Sequence, residues 1–138
     1  MKVLLTGAGG QLGRALRESP PPSVQLTALG HGELDIASPE AVRAQVERIQ
    51  PDCIINAAAY TAVDAAESDP GSAMRGNQSG PATLAAVAMD RPGMRVVHLS
   101  TDYVFDGQSA TPYAPDSPVA PLGVYGRSKL AGEQALLQ

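Results

Sequence analysis

The chain has 138 residues, 43% hydrophobic and 17% charged, with a formal net charge of −4. That size and mixture fit one globular domain able to bury a core, and the mild acidity gives no reason to expect a nucleic-acid partner. A single cysteine, Cys53, excludes an internal disulfide and points to a reducing compartment. No apolar stretch reaches the length of a membrane span, and the apolar run after Lys2 breaks at Leu5, too short for a secretion signal. A cytoplasmic setting is the expectation.

Lys2–Thr6 is a short apolar run that reads as a buried first strand. Glycines fill 7–13, and a helix is expected over Gln11–Glu18, stopped by "SPPPS". Val24–Leu29 reads as a second strand. Ser38-Pro39-Glu40 combines a capping hydroxyl, a proline at the first helical position and an acid in the first turn, a strong helix start. Val42, Val46 and Ile49 give that helix one apolar face, and Pro51 ends it. "DCIINAAA" is the third strand and its exit, with Cys53 expected in the core. Ala73–Met89 is a helical, alanine-rich stretch, "MRVVHLS" the fourth strand, and a final helix begins near Val124. Between them, the proline-rich Ala110–Pro121 reads as a mobile loop over a site, and Asp106-Gly107 as a turn. Strands alternating with helices imply a parallel sheet with right-handed crossovers.

"TGAGGQLG" places Gly7, Gly10 and Gly13 three apart, directly after a strand and at the opening of a helix. A sharp turn, a close backbone approach to a ligand and tight helix–sheet packing each favour glycine. The helix N-terminus then offers free N–H groups to a pyrophosphate. In that context the motif points to dinucleotide binding. The second strand ends in Gly30-His31-Gly32, with neither the acid that selects NAD nor an arginine that selects NADP. With His31 as a potential phosphate contact, NADP(H) is the favoured cofactor and NAD(H) stays open. Asp35 and Ile36 follow, placed for the adenine.

Ligands of open parallel sheets sit beyond the carboxyl ends of the strands. The segments leaving strands three and four are "NAAAYT" and "STDYVFDG". Ala57, Ala58 and Ala59 would let a flat cofactor lie against backbone, or would simply pack tightly. Thr101 could bond a carbonyl oxygen, or cap a turn.

"VYGRSK" puts Tyr125 and Lys129 four apart. On a helix, positions i and i+4 share a face. A free phenol ionises near pH 10 and is a poor acid–base group at neutral pH; a cation alongside favours the phenolate and brings it toward the working range. Pro81, inside a helical stretch, cannot bond the carbonyl of Asn77. That carbonyl could hold a water leading protons to Lys129, or the proline could mark only a kink.

Together "LLTGAGGQLG", "PDCIINAAAYTAVDAAE", "HLSTDYVFDG" and "VYGRSKLAGE" resemble the extended short-chain dehydrogenase/reductases, and within them the dTDP-4-dehydrorhamnose reductase family, across nearly the whole chain. The resemblance implies an α/β, Rossmann-like doubly wound parallel sheet, incomplete at about four strands. Residues 1–138 would form the NAD(P)-binding domain, with the nucleotide-sugar domain beyond it absent. It implies NADPH- or NADH-dependent reduction of a dTDP-4-keto-6-deoxy-sugar, gives no metal ligand while leaving metal dependence open, and leaves a homodimer of a longer parent open. By matching position, Tyr125 is the acid, Lys129 its tuner and ribose contact, and Thr101 a third catalytic hydroxyl. Gly7, Gly10, Gln11 and Leu12 would cradle the pyrophosphate, Asp35 and Ile36 would flank the adenine, and Ala57–Ala59 with Thr61 would run along the cofactor. Asp102 and Tyr103 would face the sugar. Two other readings on the same scaffold are a nucleotide-sugar epimerase or dehydratase, and a non-catalytic regulatory subunit like that of methionine adenosyltransferase.

Overall fold

The computed structural model describes residues 1–137. Four parallel strands, β1 (Lys2–Thr6), β2 (Gln25–Leu29), β3 (Cys53–Asn56) and β4 (Arg95–His98), lie in the order β2-β1-β3-β4. The chain steps from β1 outward to β2, returns past β1 to β3, and continues to β4. With right-handed crossovers, that reversal puts α1 (Gln11–Glu18) on one face and α2 (Pro39–Ile49) and α5 (Gly80–Met89) on the other. The strand order switches between β1 and β3, so a crevice opens between their carboxyl ends.

The core lies under α2 and α5. Register aligns Leu4, Ile54 and Val96 across three strands, and Leu4 and Ile54 meet Val42, Val46, Leu84 and Val87, all buried. Ser38 caps α2 as expected, its side chain accepting the Ala41 N–H at 3.3 Å, and Cys53 is buried. On the opposite face Val97 of the edge strand β4 is 49% exposed.

The helical stretch expected over Ala73–Met89 is divided near Pro81. It begins earlier, as α4 (Pro70–Met74), widens into a π-helical turn over Arg75–Ser79, and resumes as α5. Proline supplies no N–H at position 81, and the Gly80 N–H reaches back five residues to the Arg75 carbonyl. A short helix not anticipated from the sequence, α3 (Val63–Ser68), precedes it. The last helix, α6 (Val124–Leu136), packs on α5 and on the π-helical turn. The proline-rich loop is tied back: the Tyr113 hydroxyl donates to Asp106 at 2.6 Å, its ring stacks on Phe105 at 4.3 Å, and the Ala120 N–H bonds the Val104 carbonyl.

Candidate functional site

The crevice at the switch point is a cleft of about 580 Å³, lined by the glycine turn, by His31, Asp35 and Ile36, by Ala57–Ala59 and by Arg75. Gly7 has φ +72°, and a Cβ there would overlap the Ala57–Ala58 peptide, 2.5 Å from the Ala57 carbonyl carbon. Only glycine lets β1 turn away while its backbone touches the exit of β3. Gly13 meets the same turn from α1, where any side chain would overlap Gly7. Gln11 and Leu12 occupy the first turn of α1, with Leu12 40% exposed. Thr61 is exposed just ahead of α3 and does not line the cleft.

One charged contact at this cleft was invisible in the linear pattern. Asp35 pairs with Arg75 through two hydrogen bonds, at 2.6 and 3.2 Å. The guanidinium holds the Asp35 carboxyl below its ordinary range. The end of β2 also has an acid in space. Glu33, three residues after Gly30, folds back to accept the Gly30 N–H at 2.9 Å. The sequence reading of an acid-free β2 terminus is corrected to that extent.

The second cluster lies at the ends of β3 and β4. Lys129 is 2% exposed, its Nζ 2.5 Å from the Leu99 carbonyl and 3.5 Å from His98 Nε2. Burial pushes the amine below the ordinary lysine range, while the Glu133 carboxylate opposes that shift. Tyr125, one turn earlier on α6, meets the ring of Tyr103 edge-on, centroids 5.6 Å apart. Gly126 permits this approach, because a side chain there would overlap the Tyr103 carbonyl. Thr101 ends the β4 segment and caps a 3₁₀ turn over Asp102–Val104, its hydroxyl accepting the Tyr103 N–H and lying 3.3 Å from Asp102 Oδ1. Asp102 and Tyr103 are exposed. The structure thus gathers Tyr125, Lys129, Tyr103 and the Thr101 turn at the carboxyl edge of the sheet, and keeps Asp35 and Ile36 at the far side of the crevice.

Both α3 and the π-helical turn anchor α6. Glu67 of α3 accepts the Val124 N–H at 2.7 Å, satisfying a free amide at the positive end of the helix. Asn77 of the π-helical turn donates to both Ser128 Oγ and the Tyr60 carbonyl at 2.9 Å, and accepts the Tyr60 N–H at 2.8 Å. It therefore ties the β3 exit to α6. The Asn77 carbonyl freed by Pro81 abuts Gly132 of α6.

A family model described as "RmlD substrate binding domain" matches residues 1–138. The chain belongs to this family. It is 48% identical over 138 residues to a probable dTDP-4,6-dihydroxy-2-methyloxan-3-one 4-ketoreductase of Streptomyces antibioticus, covering 99% of this chain and 47% of that protein. It is 47% identical to a dTDP-4-dehydrorhamnose reductase of Burkholderia thailandensis, covering 100% and 46%. A crystal structure of a Bacillus anthracis dTDP-4-dehydrorhamnose reductase in complex with NADP superposes with a TM-score of 0.94 at 38% identity, covering 99% of this chain and 48% of that one. The chain spans about half the length of the curated relatives it matches.

Proposed function

We propose that this chain is the dinucleotide-binding and proton-donating portion of an NAD(P)H-dependent reductase acting on the 4-keto group of a dTDP-4-keto-6-deoxy-sugar, in a cytoplasmic route to dTDP-L-rhamnose. The observation that carries the reading is the placement of a buried lysine, Lys129, one helical turn after Tyr125, on the same sheet edge as a glycine-walled cleft. The relatives' names supply the sugar.

The residues present fit a dinucleotide. The Gly7 turn packs directly on the Ala57–Ala58 peptide and so shapes the cleft wall, and the N-terminus of α1 would face the pyrophosphate with Gly10, Gln11 and Leu12. Ile36 and Asp35 would flank the adenine, with Arg75 fixing the Asp35 carboxylate. Ala57–Ala59 would line the path toward the nicotinamide. A bound reduced nicotinamide supplies hydride to the substrate carbon. Tyr125 donates the proton to the oxygen, Lys129 holds positive charge beside the phenol and contacts the ribose, and Thr101 hydrogen-bonds the same oxygen. For the last role the Thr101 hydroxyl must turn from Asp102, its 3.3 Å partner. Asp102 and Tyr103, exposed at the rim, face the sugar.

Fluorescence titration of the 138-residue chain with NADPH and NADH tests the first half of this reading. Saturable binding of a dinucleotide, weakened at least tenfold by Gly7→Ala, is expected; no binding of either nucleotide overturns it. Keto-sugar-dependent NADPH oxidation by a polypeptide that also carries the half found in the relatives tests the second. Tight retention of NAD with no net oxidation would favour an epimerase or dehydratase.

A further inference from the structure

A row of polar side chains runs across the carboxyl end of the sheet, one layer above Leu4, Ile54 and Val96. Thr6, Asn56 and His98 are register partners on β1, β3 and β4. Thr6 Oγ1 donates to Asn56 Oδ1 at 2.6 Å, Asn56 Nδ2 lies 2.9 Å from His98 Nδ1, and His98 Nε2 faces Lys129 Nζ at 3.5 Å. Asn56 also accepts the Ala58 N–H at 3.1 Å.

That backbone amide gives the row a direction. An N–H can only donate, so the oxygen of the Asn56 amide must face Ala58 and Thr6, and its NH₂ must face His98. Nδ1 of the ring is then an acceptor, and the neutral imidazole carries its proton on Nε2, toward Lys129. An ammonium at Nζ would meet this N–H as a second donor. A free amine would accept it. The contacts agree: the Asn56–His98 bond is short, and the His98–Lys129 approach is long.

We propose that His98 is a positioning residue for Lys129: held by Asn56 as the Nε2–H tautomer, it presents a donor to Nζ and favours the uncharged amine. From α6, Glu133 opposes the effect by favouring the ammonium, and Tyr125 lies one turn back. From β3 and the β4 exit come Asn56 and Ser100, both uncharged, the latter bonded to Glu133. Burial and the adjacent lysine both keep the His98 ring neutral. The catalytic meaning rests on the function proposed above. After Tyr125 has given its proton to a ketone oxygen, the phenolate takes one proton from Nζ. The bare amine accepts the His98 N–H until solvent returns the proton to Nζ.

The chain has two histidines, His31 and His98, and two lysines, Lys2 and Lys129, so each exposed partner is an internal reference. In ¹⁵N-histidine, ¹³C-lysine-labelled chain, His98 is expected as the Nε2–H tautomer at pH 7, with Lys129 titrating below Lys2. In His98→Ala the Lys129 midpoint should rise by about one pH unit, the scale of one hydrogen bond. A proton on Nδ1, a cationic His98 ring at pH 7, or a Lys129 midpoint unchanged by the substitution overturns the proposal. The wild-type ring spectrum decides the tautomer even if the variant fails to fold. No cofactor or sugar is needed, so this result stands apart from any failure of the reductase reading.

Discussion

Asn77 and Gly132 meet backbone to backbone: the Asn77 carbonyl released by Pro81 points at the Cα of Gly132, where a side chain would overlap it. This contact lets α6 lie close enough to the π-helical turn for Asn77 to hold Ser128 and for Lys129 to be buried. Gly132→Ala should force the helices apart and cost about 1–3 kcal/mol, the range for overpacking a core site. Urea denaturation measures the loss. An unchanged midpoint would show that the helices can part freely.

Tyr125→Phe removes the phenol proposed as proton donor while keeping the ring that meets Tyr103. In a polypeptide that also carries the half found in the relatives, turnover should fall about 10²–10⁴-fold, the usual weight of a general acid. Dinucleotide affinity should barely change. Comparable loss in kcat and in affinity would instead assign Tyr125 to binding.

Glu67 reaches α6 from α3 and accepts the Val124 N–H. Glu67→Ala removes a charged cap at the positive end of the helix and should destabilise the fold by about 1 kcal/mol. The effect should shrink at high salt, which thermal melts in low and high sodium chloride would reveal.

Burial and the Lys129 charge push the His98 imidazole from 6.5 down to about 4. The unfolded chain takes up this proton near its ordinary value, and the folded chain only near the lower one. Stability therefore rises with pH across that window and is lost as pH falls from 6.5 toward 4. His98→Gln has no such proton to take up. Its urea midpoint should fall less than wild type between about pH 7 and about pH 5, either side of the ordinary imidazole value.

Glu33 places a carboxylate at the end of β2, the position that discriminates between dinucleotides. Glu33→Gln keeps an acceptor for Gly30 but removes the charge that would repel a 2′-phosphate. The ratio of NADPH to NADH affinity should rise severalfold in paired titrations. A ratio that stays constant would place the discriminating contact elsewhere, with His31 or Arg75.

Strand and helix identities were legible because they follow from short-range rules. The apolar runs at Lys2–Thr6 and Cys53–Asn56, the Ser38-Pro39 helix start and the glycine turn each act on neighbouring residues, and each forms the element expected. Tyr125 and Lys129 were legible for the same reason, since one turn of helix fixes their shared face. Pro81 signalled a disturbance in its helix but not its form, because a widened turn depends on what presses against it.

The sequence by itself determined the alternation of strands and helices, the glycine turn and the placement of Tyr125 and Lys129 one turn apart on α6, all set by local backbone geometry and periodicity. Only the tertiary structure decided that Arg75 clamps Asp35 across 40 residues, and that Thr6, Asn56 and His98 join in one row ending at Lys129. Those contacts depend on strand order and register, which bring together side chains that no spacing along the chain relates.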